Sequence, residues 1–241
     1  MLVKEWMSTT VITVDPGASI AEAIQLQQTH NRISLLPVVQ EGKLVGVVTD
    51  SDLKPFSSHL PSTTDGASFW GTLVLTRIKV EDIMSRAPVT IPMDYSVEEA
   101  ADVLLNHKIP GVAVVDESNR IVGVLTQTDI NRVLVSVTGL RRGGIVYGFL
   151  LADKPGAIKG LTDIMRSYGG RLASILTSYE RSPKGYRKVS IRVRTLDRSK
   201  LPTLEHELSA RAKVLYKIDF RENTRQIFED DAPQSESVAL K

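Results

Sequence analysis

Apolar residues recur at helical spacing in SVEEAADVLLNH (96–107), and Ser96 with Glu99 forms the serine–glutamate pair that starts helices. Short apolar runs flank this stretch. VTI (89–91), GVAVV (111–115) and RIVGVL (120–125) read as strands, the last two joined by the turn ESN. TQTDI (126–130) then opens a second helix, with a Thr/Asp cluster suited to a first turn. The predicted order is β-α-β-β-α. An earlier stretch spells the same order: ITV (12–14), a helix from Ser19 in SIAEA, LLPVV (35–39), the turn EG, KLVGVV (43–48) and TDSDL (49–53).

Shifting the chain by 77 positions superposes the two stretches, which makes an internal repeat the first organising fact. VKEWMS (3–8) falls on VEDIMS (80–85), SIAEA on SVEEA, and GVVTDSD (46–52) on GVLTQTD (123–129). RISLLPVV meets KIPGVAVV with a one-residue slip. Between the copies, 54–68 is rich in Ser, Thr and Pro and reads as a loop. FWGTLVL (69–75) reads as a short apolar helix.

A different pattern follows the basic, glycine-containing hinge VTGLRRGG (137–144). IVYGFLL (145–151) is a strand, Asp153–Gly156 a turn, and AIKGLTDIMRSY a helix stopped by Gly169–Gly170. RLASILTSY and YRKVSIRVR form a hairpin across ERSPKG. LPTLEHELSA is a helix and AKVLYKIDF a final strand. The order β-α-β-β-α-β is the ferredoxin-like split unit. Lys188, Ser190, Arg192 and Arg194 alternate with Val189, Ile191 and Val193, which predicts a basic, solvated or interfacial sheet face. The polar tail 221–241 is expected to be disordered.

The 241 residues suit two domains, with 42% hydrophobic and 24% charged content typical of a globular protein. Charge divides them: residues 1–139 balance at −6 and residues 140–241 at +8. The absence of cysteine excludes disulfides, thiolate nucleophiles and Cys-based zinc sites. No apolar run is long enough to span a bilayer, and the expectation is a cytoplasmic protein. His30, His59, His107 and His206 show no metal-ligand spacing, so no metal site is expected.

The repeated unit, with its openings EWMS and DIMS, central PVV and AVV strands and closing T-x-[ST]-D motifs, resembles the CBS domain, which occurs as tandem pairs. That resemblance implies a cleft for an adenosine-containing ligand: AMP, ADP, ATP or S-adenosylmethionine. The residues suit it. Asp52 or Asp129 offers two acceptors to ribose hydroxyls. Thr49, Ser51, Thr126 and Thr128 sit at helix starts suited to phosphate. Ile12, Val14, Val89 and Ile91 would wall an adenine slot closed by Ile33 and Ile109, with Thr13, Ser34, Thr90, Lys108 and Pro110 beside them. Arg32, Lys108, His30 or His107 would balance ligand charge. The same Thr and Asp residues also serve as helix caps, so inert capping is the competing reading. Met7 and Met84 are expected in the core.

DKPGAI (153–158) at the first strand–helix turn gives residues 144–220 a resemblance to the ACT domain. This implies an amino acid or similar small molecule near Asp153, Pro155, Gly156, Ala157 and Ile158, although D-x-P-G is also simply a good turn. The expected fold class is thus α+β: a tandem CBS pair plus a ferredoxin-like ACT domain. Its domains are CBS copy 1 (1–57), a linker with a short helix (58–79), CBS copy 2 (80–138), the ACT unit (144–220) and the tail. This order is similar to that of the acetoin-utilisation family. The expected function is a non-enzymatic sensor, a homodimer or higher even oligomer acting on an enzyme or other protein. The alternative is a nucleic-acid-associated regulator, which the scarcity of aromatics in the basic strand argues against.

Overall fold

Ser19 accepts a hydrogen bond from the Glu22 N–H (3.2 Å), and the Glu22 carboxylate accepts one from the Ser19 N–H (2.8 Å). This box starts α1 (Ile20–Thr29). The chain continues into β1 (Leu35–Gln40) and β2 (Lys43–Thr49), an antiparallel hairpin whose turn residues Glu41 and Gly42 both have positive φ. Two such residues match the twist of a two-residue hairpin. α2 (Asp50–Ser57) follows and includes Lys54 and Pro55, so the expected loop begins later than its composition suggested. The computed structural model describes residues 1–30, 33–57 and 75–228. The expected helix over 69–75 lies outside these, apart from the helical Leu75.

The second copy runs α3 (Val80–Ile83), β3 (Thr90–Pro92), α4 (Val97–His107), β4 (Gly111–Val115), β5 (Ile121–Thr126) and α5 (Gln127–Val137). Ser96 and Glu99 form the second capping box, with bonds of 3.1 and 2.7 Å. β3 lies parallel to β4, which pairs antiparallel with β5. In the first copy the strand expected over 12–14 is reduced to a single parallel bridge, Val14 to Val38.

The copies exchange their opening segments. Ser8 pairs with Val124 through two backbone hydrogen bonds (2.9 and 3.1 Å), and Ser85 pairs with Val47 in the same way (2.9 and 3.1 Å). Met7 lies over Gly123 and Met84 over Gly46, where an added Cβ would stand 2.5 and 2.6 Å from the sulfur. Val3, Trp6 and Met7 therefore pack into the core of the second copy, while Val80, Ile83 and Met84 join that of the first. Each repeat unit completes its neighbour's core. Both methionines are core residues, as expected.

Contacts divide the chain into Met1–Val133 and Leu134–Lys241. The second unit comprises β6 (Ile145–Ala152), α6 (Ala157–Ser167), β7 (Arg171–Ser178), β8 (Tyr186–Arg194), α7 (Leu201–Arg211), β9 (Lys213–Asp219) and β10 (Thr224–Ile227). The sheet order is β10-β9-β6-β8-β7, every pairing antiparallel. The four strands β9-β6-β8-β7 reproduce the ferredoxin-like arrangement. Ile145, Tyr147 and Phe149 with Val189, Ile191 and Val193 form a core with Leu161, Met165, Leu204 and Leu208 of the helices.

Two expectations fail here. Arg192 is 5% exposed, not part of a solvated basic stripe. Its Nε donates to the Thr138 carbonyl (2.7 Å), its Nη1 to that of Gly143 (3.1 Å), and its guanidinium lies 4.5 Å from the centre of the Phe220 ring. Hinge and sheet together solvate the charge that the strand pattern had placed on a solvated or interfacial face. The tail also begins ordered: β10 pairs with β9 after a turn in which Asn223 takes a positive φ. Pairing with a free strand edge holds a segment that its polarity alone would leave loose.

Candidate functional site

A cleft of about 290 Å³ opens between the two copies. Ser8, Thr10, Val11 and Ile12 form one side, continued by His30 and Ile33–Leu35; Val124, Thr126, Thr128, Asp129 and Arg132 form the other. The Ser8–Val124 pairing lays the first segment along β5. The carbonyl of Ile33 is held by the Gln27 side-chain amide (3.1 Å), which also donates to Asp50 (2.8 Å).

Asp129 is the chemical centre of the cleft. It is 4% exposed, and its Oδ2 accepts from the Thr126 N–H (2.9 Å) and hydroxyl (2.7 Å). Its Oδ1 accepts from Arg132 Nη1 at 2.8 Å. The threonine bonds fix the carboxylate at the start of α5, and Oδ1 retains acceptor capacity beside Arg132. Hydroxyls of Thr10, Ser34 and Thr128 and the apolar Ile12, Ile33 and Val124 complete the lining. The arrangement can bind a ligand with a vicinal diol, an apolar plate and an anionic end.

Seven of the expected residues meet in this cleft: Ile12, His30, Ile33, Ser34, Thr126, Thr128 and Asp129. Val14 and Ile91 do not wall it. They are 5% and 2% exposed and belong to the two copies' cores; Ile12, two residues before Val14, packs on the edge of the first copy's core and reaches the cleft from there. Thr13 is exposed and outside the lining, and Thr90 is half-buried in β3 beside Ala113.

Of the other expected residues, Arg32 lies outside the described residues, His107 is exposed in the last turn of α4, and the rest stand outside this lining. Asp52 Oδ2 accepts from the Thr49 N–H and hydroxyl, both at 2.7 Å, the same cap as at Asp129. Ser51 is exposed, Val89 and Ile109 pack against the second copy's core, and Pro110 gives its carbonyl to the Gln127 N–H (3.0 Å). Lys108 ends α4 in the left-handed conformation, exposed. The residues missed by sequence reasoning were Ser8, Thr10, Val11, Leu35, Val124 and Arg132. Arg132 had a usable signal, standing three positions after Asp129 on one helix face.

In the second unit a cavity of about 770 Å³ is lined by Leu150–Ala152, Lys154–Ala157, Gly160, Pro183, Tyr186 and Arg211–Lys213. Pro155, Gly156 and Ala157 fall where expected, Gly156 with φ of 78° at the start of α6. Asp153 and Ile158 are not in the lining: Asp153 faces Arg187 Nε at 3.5 Å and Ile158 packs on the core. The cations Lys154, Arg211 and Lys213 come from three separate elements and escaped a local reading.

The family model for the CBS domain matches residues 3–58 and 80–136. The CBS domain-containing protein YhcV of Bacillus subtilis is 32% identical over 128 residues, which cover 53% of this chain and 81% of YhcV. The chain belongs to the CBS-domain family. Its CBS pair has the α+β fold described above. L-aspartate semialdehyde sulfurtransferase of Methanocaldococcus jannaschii is 35% identical over 132 residues, 54% of this chain but only 23% of that enzyme. This chain therefore matches about a quarter of the enzyme's length. The solved CBS domain pair of protein MJ0100, in complex with 5′-methylthioadenosine and S-adenosyl-L-methionine, is 34% identical, covers 56% of this chain and 95% of that chain, and superposes with a TM-score of 0.45. Among the described residues, no helix is long and apolar enough to cross a membrane.

Proposed function

We propose that this protein is a non-enzymatic regulatory sensor that binds an adenosine-containing ligand, AMP, ADP, ATP or S-adenosylmethionine, in the cleft at Asp129. The observation that carries the reading is a buried carboxylate, anchored by Thr126, in a cleft that also offers apolar walls and hydroxyl donors. The ribose diol donates to Asp129, the base lies between Ile12 and Ile33, and Thr128 with the start of α5 faces the anionic end. The volume of about 290 Å³ stands at the lower edge of the roughly 300–1,000 Å³ usual for small-ligand sites. Because the lining comes from both copies, a bound ligand favours whichever packing of the copies holds it better.

The second unit is read as an ACT-type domain for small-molecule sensing or dimerisation. Lys154, Arg211 and Lys213 around its cavity suit a carboxylate such as that of an amino acid. The assembly is a homodimer or higher even oligomer, in which a symmetric contact passes the ligand signal to a regulated enzyme or other protein. Similarity of domain order to the acetoin-utilisation family marks that metabolism as the first place to seek the partner. The burial of Arg192 weakens the nucleic-acid alternative, since it removes the central charge of the supposed basic stripe.

A thermal-unfolding screen with AMP, ADP, ATP, S-adenosylmethionine and free amino acids tests the reading. A ligand at 100 times its dissociation constant adds about 2.7 kcal/mol of stability. Unchanged unfolding with every adenosyl ligand at millimolar concentration counts against the sensor.

A further inference from the structure

We propose that Arg132 sorts the ligands of this cleft by their phosphate, exchanging one anionic partner for another. The inference rests on the reading of the cleft as an adenosyl site. Asp129 Oδ2 is committed to Thr126, so a ribose diol must use Oδ1, where Arg132 Nη1 already donates at 2.8 Å. The two partners differ in freedom. The Asp129 side chain is 6% exposed and fixed, whereas that of Arg132 is 66% exposed and able to swing.

The guanidinium stands mostly in water, and the ribose diol replaces it on the buried Oδ1, so giving up the pair lowers affinity by about fivefold. A ligand that carries a phosphate gives the released planar guanidinium two oxygens to meet at once. A ligand without one leaves the guanidinium competing for Oδ1. Among the described residues of the lining, the other basic group is His30, whose Nδ1 lies 3.0 Å from the Leu26 carbonyl, so Arg132 is the one of these two with the freedom to move.

The repeat sharpens the assignment. At the counterpart of Arg132, 77 positions earlier, stands Pro55, which has no charge to exchange. Thr10 and Ser34 are likewise answered by Ala87 and Pro110. Arg132 therefore confers phosphate selection at Asp129 and not at Asp52, and the ligand class is the adenosine phosphates.

Calorimetric titration of the full chain with adenosine and with AMP decides the matter. The parent should bind AMP at least about tenfold more tightly than adenosine, one charge-assisted contact converted to affinity. Arg132→Ala should weaken AMP by about that factor and leave adenosine unchanged or up to about fivefold tighter, because a competitor for Oδ1 has gone. Arg132→Lys, which keeps the charge and the fold, should retain part of the preference. An AMP-to-adenosine ratio that does not move in Arg132→Ala, or an equal loss for both ligands, overturns the role of Arg132 while leaving the adenosyl site standing. A parent that binds neither ligand overturns the site and this inference together.

Discussion

In both copies a carboxylate at the start of the second helix accepts from the threonine three positions before it, with side-chain bonds of 2.7 Å at Asp52 and 2.7 Å at Asp129. Around that shared cap the two positions diverge. Asp129 gains Arg132, Thr10 and Ser34, whereas Asp52 has Pro55, Ala87 and Pro110 at the corresponding places. The carbonyl before the central hairpin is also held differently. Gln27 of α1 reaches Ile33 with help from Asp50, while in the second copy Gln127 reaches Ile109 directly (3.1 Å) and the place of Gln27 is taken by the core residue Leu104. Duplication preserved what each unit needs in order to fold and released what a cleft needs in order to bind. A cap is thus no proof of a site, and the hydroxyl and cation neighbours are what distinguish the two.

The largest effect should come from the carboxylates. Asp129→Ala removes the diol acceptor and should weaken adenosyl binding more than tenfold, the equivalent of about 1.5–3 kcal/mol. It should also reduce unfolding free energy by about 0.5–2 kcal/mol as a lost cap. Asp52→Ala should show the second loss without the first. Calorimetry paired with urea unfolding separates them, and equal loss of affinity in both variants would erase the contrast between the clefts.

The glutamines come next. Gln27→Leu leaves the half-buried Ile33 carbonyl without its partner, while the exposed Asp50 turns to water, and should destabilise by about 1–3 kcal/mol. Gln127 is exposed, so water replaces it, and Gln127→Leu should stay at or below about 1 kcal/mol. Urea midpoints at constant slope would measure the difference. Gln27→Leu should also loosen ligand binding, since Ile33 is a wall of the cleft.

The smallest effect should be the most symmetrical. Gly46→Ala and Gly123→Ala each press a methyl onto a methionine sulfur, and a methionine can shift. Both should cost about 1 kcal/mol, at the low end of overpacking, and should match each other closely. A large difference between them would show that the exchanged segments are not equivalent.

Much of this was legible before the fold. The capping boxes follow from S-x-x-E, the tight first hairpin from Glu-Gly, and the β-α-β-β-α-β order from changes of period. What escaped depended on neighbours distant in sequence. Nothing local says that Trp6 and Met7 complete the other copy's core, or that Val14 and Ile91 are wholly buried there while Ile12 still reaches the cleft. Arg192 sits in an alternating strand that any periodic reading sends to solvent, yet carbonyls of the preceding hinge surround it. Strand β10 exists because β9 offers an edge, which composition does not record.

The positions at Asp129 and Asp52 are unequal in binding, and a crystal structure of the full chain grown with saturating AMP would show it. One nucleotide per chain is expected, its ribose hydroxyls on Asp129 and its phosphate met by Arg132 turned away from Oδ1, with no nucleotide at Asp52. AMP bound at Asp52, or equally at both positions, would contradict it.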